Sequence, residues 1–217
     1  MTPSRATTKR TLLADTRGFR RESLRALIAS RHEPAWMRKQ RQEAWRVLES
    51  TPFPQTTDEP WRRTDIKAMP IDQFSPVAKS PSAAGALKSI PADWRHALKA
   101  KEISGALIAA DGRVVGRTAS KQVKSSGVIF TDMDTALRDH SKLLQPYFLT
   151  EAVRIEDDYF AALHGAFWQG GTFLYVPRGV ELSLPLRSFT WLGQRDVSAA
   201  HTLVVMEPGS RAVLIDE

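Results

Sequence analysis

The stretch FWQGGTFLYVPRGVELSLP, residues 167–185, decides the fold of this chain. Its glycine pair, 170–171, ends the helix that is predicted before it. Residues 172–176 are β-branched and aromatic, which predicts a strand. Residues 177–179 predict a tight turn, because proline fixes φ and glycine tolerates a positive φ. Residues 180–184 alternate between apolar and polar, which predicts a second strand with one buried face.

Working outward towards the N-terminus, apolar periodicity predicts two helices. The first lies within residues 17–30. The second starts at Pro34, which suits a first helical turn, and ends before the prolines at 52 and 54. Its apolar face is formed by Met37, Ala44, Trp45 and Leu48. Its basic residues are predicted to lie mostly off that face: Arg38, Lys39, Arg41 and Arg46.

Short strands are predicted on both sides of the opening stretch. Asp111-Gly112 is a hairpin signal between two of them. Thr131 or Asp132 is predicted to cap a helix that runs towards Leu144. Short strands separated by turns fit a sandwich, a barrel or a β-helix, and no clear sequence repeat decides among them. The remaining predicted strands are residues 103–109, 114–115, 127–130, 186–191, 201–206 and 211–215.

The composition is that of an ordinary globular protein. Of the 217 residues, 42% are hydrophobic and 25% charged. No apolar run reaches the roughly 18 residues of a membrane-spanning helix, and the N-terminus lacks the apolar segment of a secretory signal. We therefore expect a cytoplasmic protein. The chain has no cysteine, which removes disulfides and thiolate ligands or nucleophiles from this segment.

The net charge of +7 is concentrated in the N-terminal third. Residues 1–70 hold 15 Lys and Arg against 8 Asp and Glu, whereas residues 71–217 hold 16 of each. Such a basic region could bind nucleic acid or an acidic partner. We favour a solvated helix surface preceded by a frayed basic tail. The same Arg-, Ser- and Thr-rich start is compatible with a transit peptide.

No metal or acid–base site is predicted. The histidines are too far apart in sequence to form a local ligand pair, and they lie at His32, His96, His140, His164 and His201. His201 is predicted to sit in a strand as a structural or surface residue. Asp157 or Asp158 fits a cap for the helix that ends at Phe167 better than a catalytic pair, because adjacent helical side chains diverge.

No phosphate or stacking site is predicted either. The glycine pair 170–171 lacks the strand–glycine–helix order of a phosphate loop. Trp36 and Trp45 are predicted to pack within the second helix. Trp61 is the best candidate for a contact residue, although anchoring its own loop is the preferred role. The sequence thus predicts no catalytic, cofactor-binding or metal-binding residue in this segment.

Two segments resemble one known family. Residues 33–66 hold a Pro-x-Trp helix, a Thr-Pro-Phe-Pro turn and the run DEPWRRTDI. Residues 160–185, and more loosely 201–210, resemble the entrance to a β-helix. Together they are similar to the SufB/SufD family of the SUF iron–sulfur cluster assembly system, and the first segment favours its SufD branch. Two positions depart from the family pattern, with Arg63 in place of an aromatic residue and His164 in place of Asn.

The resemblance implies an α+β N-terminal region followed by the start of a right-handed β-helix, in a truncated chain. The implied domains are a basic helical region with a Pro-rich linker (1–91), a small α/β region (92–155) and the first β-helix coils (156–217). The implied role is that of a non-enzymatic scaffold subunit with a SufB-like subunit and a SufC-like ATPase as partners. The complex would handle iron–sulfur clusters and ATP, and this segment would bind neither.

Two alternatives come from the residues alone. A cupin-like metal-binding β-barrel shares the short strands and Pro/Gly turns, but that family needs two histidines one residue apart, and this chain has no such pair. A nucleic-acid-binding module would use the basic residues of 1–70.

Overall fold

The chain forms two compact units, which are described separately. The structure is a computed structural model that describes residues 18–74, 76, 86, 88, 90–193 and 197–217. Unit 1 comprises residues 1–78 and 149–167, and unit 2 comprises 79–148 and 168–217. The basic tail and residues 80–85 of the Pro-rich linker lie outside the described residues. These units do not test the predicted division at residues 91 and 155, which stays a prediction.

The described part of unit 1 is helical. It contains α1 (Arg21–Ser30) and α2 (Ala35–Ser50). Three one-turn 3-10 helices follow (Glu59–Trp61, Ile66–Ala68 and Ile71–Gln73), and the last helix is α7 (Tyr159–Phe167). Both N-terminal helices were predicted, and Pro34 lies just before α2 as its N-cap residue. Gly165 lets α7 approach α2 closely, because a Cβ there would lie 3.0 Å from that of Ala44.

One prediction about α2 is wrong. Arg41 was expected to lie mostly off the apolar face, but its side chain is fully buried together with Met37, Ala44 and Leu48. The spacing explains this result, because Arg41 follows Met37 by four residues and therefore lies on the same face. Trp45, which was assigned to that face, is only half-buried.

Unit 2 contains short helices and two mixed sheets. The helices are α3 (Ala92–Ala97), α4 (Lys121–Ser125), α5 (Met133–Asp139) and α6 (Ser141–Leu144). Sheet A has the order β2-β1-β5-β7, and sheet B has the order β3-β4-β6. The strands are β1 (Gly105–Ala110), β2 (Arg113–Ala119), β3 (Ile129–Asp132), β4 (Thr172–Val176), β5 (Leu186–Trp191), β6 (Leu203–Met206) and β7 (Leu214–Asp216). The fold class is therefore α+β, as predicted.

The hairpin and the helix caps follow the sequence signals. Asp111 and Gly112 join β1 to β2 with φ values of 50° and 78°, as a two-residue hairpin with positive φ at both central positions requires. Asp132 caps α5 by accepting a bond from the N–H of Thr135 at 2.9 Å. The predicted helix towards Leu144 is interrupted at His140, so two short helices replace one.

After residue 171 the chain alternates between the two sheets. It runs through β4 in sheet B, β5 in sheet A, β6 in sheet B and β7 in sheet A. β6 pairs in parallel with β4, and β7 pairs in parallel with β5. Two successive windings of the chain therefore stack on each other. Buried side chains lie between the sheets, among them Leu107, Phe130, Leu174, Val176 and Leu186.

Two predicted strand assignments are wrong. Residues 180–184 form no strand and contribute only an isolated parallel bridge, between Glu181 and Arg211. They turn the corner between sheets A and B, and Leu184 is exposed there. His201 lies before β6 and not in it, although its main chain already pairs with the glycine pair.

The glycine pair is where the two windings come closest. The N–H of His201 donates to Gly170 O, and the N–H of Thr172 donates to His201 O, both at 3.1 Å. Gly171 has a φ of +108°, and a Cβ there would lie 2.2 Å from His201 O. Only glycine fits at this position, because both the backbone angle and the distance exclude a side chain.

We predict that Gly171→Ala lowers the free energy of unfolding by about 3 kcal/mol or more, since the new methyl group meets backbone atoms. Gly179→Ala is the matched control. Its φ of +69° is also positive, but no atom lies within 4 Å of the added Cβ, so about 1 kcal/mol is expected. Urea unfolding followed by circular dichroism gives both values, and equal losses would contradict the close approach.

Candidate functional site

The strands of the second winding leave one end of the sheet stack uncovered. β6 and β7 are edge strands, and no described strand pairs with their outer sides. Val204 lies beside Leu174 and Met206 beside Val176 in the parallel register. Paired residues of parallel strands point to the same side, so Val204 and Met206 extend the rows of apolar side chains that Leu174 and Val176 begin. Leu174 and Val176 are buried, but Val204 is 43% and Met206 41% exposed.

Apolar side chains are also exposed at the edge of sheet A that β7 forms. Leu214 lies beside the buried Leu186 and is only half-buried. Val213 is 57% exposed, and Ile215 is also exposed. We call the outer edges of β6 and β7 with these apolar side chains the open end. Its unpaired main-chain groups and apolar side chains can take up further strands by backbone pairing.

Polar side chains tie the second winding to the first next to the open end. Asp216 Oδ1 accepts a hydrogen bond from the hydroxyl of Ser188, and Asp216 Oδ2 accepts one from Thr202 Oγ1 at 3.0 Å. Arg187 on β5 forms an ion pair with Glu217. Both carboxylates are thus engaged in holding β7 against β5, which is a structural role.

The predicted candidate residues are dispersed. His32 and His96 are exposed, and the other three histidines are half-buried. The ring of His201 packs 4.5 Å from that of Phe148. Within the described ranges, no group of three or more His, Asp or Glu residues could hold a metal ion. That this segment supplies no catalytic, cofactor or metal residue stays a prediction.

The acidic pair and the tryptophans take the structural roles that were preferred for them. Asp158 Oδ1 caps α7 by accepting from the N–H of Ala161 at 2.7 Å. Trp45 packs edge-on against Phe167 with ring centres 6.0 Å apart. Trp61 packs on Phe160 at 5.1 Å and thus anchors its own loop within unit 1.

A buried ion network in unit 1 was not found from the sequence. Arg41 Nε and Nη2 donate to the two carboxylate oxygens of Glu33 at 2.8 and 2.7 Å, and Arg41 Nη1 donates to Ala166 O at 2.8 Å. Arg31 Nε adds a third bond to Glu33 at 2.7 Å. Burial alone would raise the pKa of Glu33, but the bonds from Arg41 and Arg31 outweigh it and lower that pKa.

The positive charge of Arg41 also acts on His164, which lies on α7. Burial, and then the positive charge of Arg41, lower the pKa of His164 to about 4. The imidazole therefore stays neutral in the folded protein at any pH well above this value.

The basic character of residues 1–70 is balanced within unit 1. Over the described residues of this unit, Lys and Arg number twelve, and so do Asp and Glu. The acidic residues between 149 and 167 supply the compensation. In the described residues, no helix combines the length and the apolar character needed to cross a membrane.

Comparison with known proteins identifies the family. The family described as "SufBD protein N-terminal region" matches residues 21–187, which is most of the chain. The chain belongs to the SufBD family. The matched region runs from the start of α1 into β5. It therefore includes both segments that carried the resemblance, 33–66 and 160–185. The looser similarity at 201–210 lies outside it.

Curated SufBD proteins from several bacteria are similar to this chain. The iron–sulfur cluster assembly protein SufD of Bacillus subtilis is 28% identical over 199 residues, covering 90% of this chain and 44% of that protein. A SufBD family protein of Mycobacterium tuberculosis is 28% identical over 205 residues, covering 89% of this chain and 23% of that protein. This SufBD chain thus spans less than half the length of either relative and resembles the N-terminal portion of SufD.

We predict that Arg41→Met lowers the free energy of unfolding by about 3–5 kcal/mol, because the buried carboxylate of Glu33 loses its bonds to Arg41. The double variant Glu33→Met/Arg41→Met should regain part of this loss, since neither charge of the Glu33–Arg41 pair is then left buried without the other. Arg21→Met is the control, because it breaks the exposed ion pair with Glu49 and should leave the urea midpoint unchanged. A midpoint that stays in place for Arg41→Met would contradict the role of the network.

We predict that stability falls by about 2 kcal/mol between pH 7.5 and pH 5 because of His164. The unfolded imidazole binds a proton below its usual pKa of 6.5, whereas the folded one stays neutral down to about 4. The unfolded state therefore gains stability as the pH falls. His164→Asn should remove this slope, and His32→Asn, at an exposed position, should retain it. Urea unfolding at several pH values measures the slope, and an unchanged slope in His164→Asn would refute the assignment.

Proposed function

We propose that this chain is the N-terminal portion of a scaffold subunit for iron–sulfur cluster assembly. The family match over residues 21–187 is the observation that carries the proposal. The names of its similar relatives in Bacillus subtilis and Mycobacterium tuberculosis both refer to iron–sulfur cluster assembly. A scaffold role needs positioned surfaces more than reactive groups, and the candidate site of this chain is a strand surface. A non-enzymatic, cytoplasmic role is part of the proposal.

We further propose that β4 to β7 are the first coils of a right-handed β-helix. The alternation of the chain between two sheets supports this, as do the parallel pairs β4–β6 and β5–β7. In a β-helix each winding covers the apolar interior of the previous one. The open end is then the surface on which a further coil stacks, and the exposed Val204 and Met206 become interior residues.

The proposed partners are a SufB-like subunit and a SufC-like ATPase, with ATP bound by the ATPase and clusters handled by the assembly. The nucleic-acid alternative is less favoured, because the described residues of unit 1 carry equal numbers of positive and negative side chains. The family match likewise favours cluster assembly over a cupin-like barrel.

Deletion of the gene should lower the activity of a cluster-dependent dehydratase under iron limitation and leave a cluster-free dehydrogenase unchanged. The intact gene, tagged at its own locus, should restore the activity and co-purify with the SufB-like and SufC-like proteins. Leu174→Asp places a charge in the sheet interior and should fail to restore it. Leu184→Asp is the control at an exposed corner and should restore it. Equal activities in the deletion and parent strains, without co-purification, would overturn the proposal.

A further inference from the structure

A groove of about 640 Å³ lies in unit 2 beside the edge strands β2 and β3. Its apolar wall is formed by Val123, Val128 and Phe130, all of which belong to the core between the sheets. A groove of this size accommodates a ligand or a short peptide. None of its lining residues belongs to the open end.

The free edge of β2 turns main-chain groups towards the groove. The N–H of Ser120 donates to Ser104 O at 2.8 Å. In an antiparallel ladder hydrogen-bonded pairs alternate with non-bonded ones. The main-chain N–H and C=O of Ala119 and Arg117 therefore point away from β1, and both residues line the groove. Such an edge is a template for an added strand.

The same reasoning applies to β3. The N–H of Met133 donates to Gly171 O at 3.1 Å, and Phe130 lies an odd number of residues before Met133 in the same ladder. The main-chain groups of Phe130 therefore point away from β4. Both strands present unpaired main-chain groups at their groove-lining residues.

The polar rim of the groove is basic. Arg117 and Lys124 line it, and no described carboxylate forms an ion pair with either. Arg117 Nη1 donates to Thr131 Oγ1 at 2.7 Å, which holds the guanidinium over the groove and leaves its other N–H groups available. His140 lines one end. The acidic lining residue, Asp139, accepts a bond from Arg138 Nε at 2.9 Å, and the charge of Arg117 also acts on its carboxylate.

We propose that this groove binds an extended acidic peptide segment of a partner protein, which adds as a strand to the free edge of β2. Arg117 lies directly opposite Leu107 in the β1–β2 ladder, so its side chain is on the same face of sheet A as the apolar wall. Every second residue of an added strand faces the groove. These groove-facing residues would be aliphatic next to Val123, Val128 and Phe130, and acidic next to Arg117 and Lys124. The proposal is independent of the role in cluster assembly, because it uses only the edge, the wall and the rim of unit 2.

The test is a titration of the 217-residue chain with the acetylated, amidated peptide Thr-Val-Thr-Glu-Thr-Val-Thr-Glu-Thr, in which valine and glutamate alternate along one face of the strand, followed by amide chemical shifts. Saturable shifts are expected at Arg117, Ala119 and Phe130. Arg117→Gln/Lys124→Gln should weaken binding by about three-fold or more, because two charge contacts are lost. Lys121→Gln, at an exposed residue of the same helix as Lys124 but outside the groove lining, should leave the affinity unchanged.

Two further probes separate strand addition from attraction of anions. A peptide of the same charge with N-methylated valines cannot pair with the β2 edge and should not bind, and glutarate at the same carboxylate concentration should not compete. The proposal is overturned if the N-methylated peptide binds as well as the parent, if glutarate displaces the peptide, if no saturable shifts occur, or if the shifts fall outside the groove.

Discussion

Parallel main-chain pairing between successive windings is the interaction on which unit 2 depends. Among the described strands, β6 pairs only with β4, and β7 pairs only with β5. The strands of the second winding are therefore held in their sheets by the strands of the first. The contact starts at Gly171, where His201 O lies closer than any side chain allows. The backbone approach at this point sets the register that brings Val204 next to Leu174 and Met206 next to Val176. Each layer of side chains then extends the interior of the layer below.

In unit 1 a buried ion pair takes the place of such a ladder. Arg41 bonds both oxygens of Glu33 and the carbonyl of Ala166, so it joins α2 to the residue before that helix and to α7. A buried arginine is costly unless all its partners are in place, which makes this arrangement specific for one packing of the helices. The bond to the carbonyl of Ala166 fixes the position of α7 against Arg41. Burial and the positive charge of Arg41 disfavour a second positive charge nearby, so His164 stays neutral.

Local signals in the sequence predicted the local structure well. The Asp-Gly turn, the cap at Asp132 and the two N-terminal helices were found, because each depends on neighbouring residues only. The failures lie where distant residues decide. The alternation at 180–184 resembles a strand, but its main-chain pairing is limited to one isolated bridge, around Arg211. The burial of Arg41 was visible in its spacing from Met37, although the identity of its partner was not. Neither edge surface could be predicted, since the sheet order is a long-range property.

The two kinds of free edge in unit 2 differ in what they can accept. At the open end the exposed groups next to the backbone are aliphatic, at Val204, Met206, Val213 and Ile215. An incoming strand there must bring apolar side chains and follow the parallel register that β6 and β7 follow. At β2 the edge carries Arg117, and charge on an edge strand discourages indiscriminate pairing. A strand that lacks acidic residues would leave that charge uncompensated. The open end thus favours strands with apolar side chains, and the β2 edge favours acidic strands, because charge at an edge excludes most strands and attracts few.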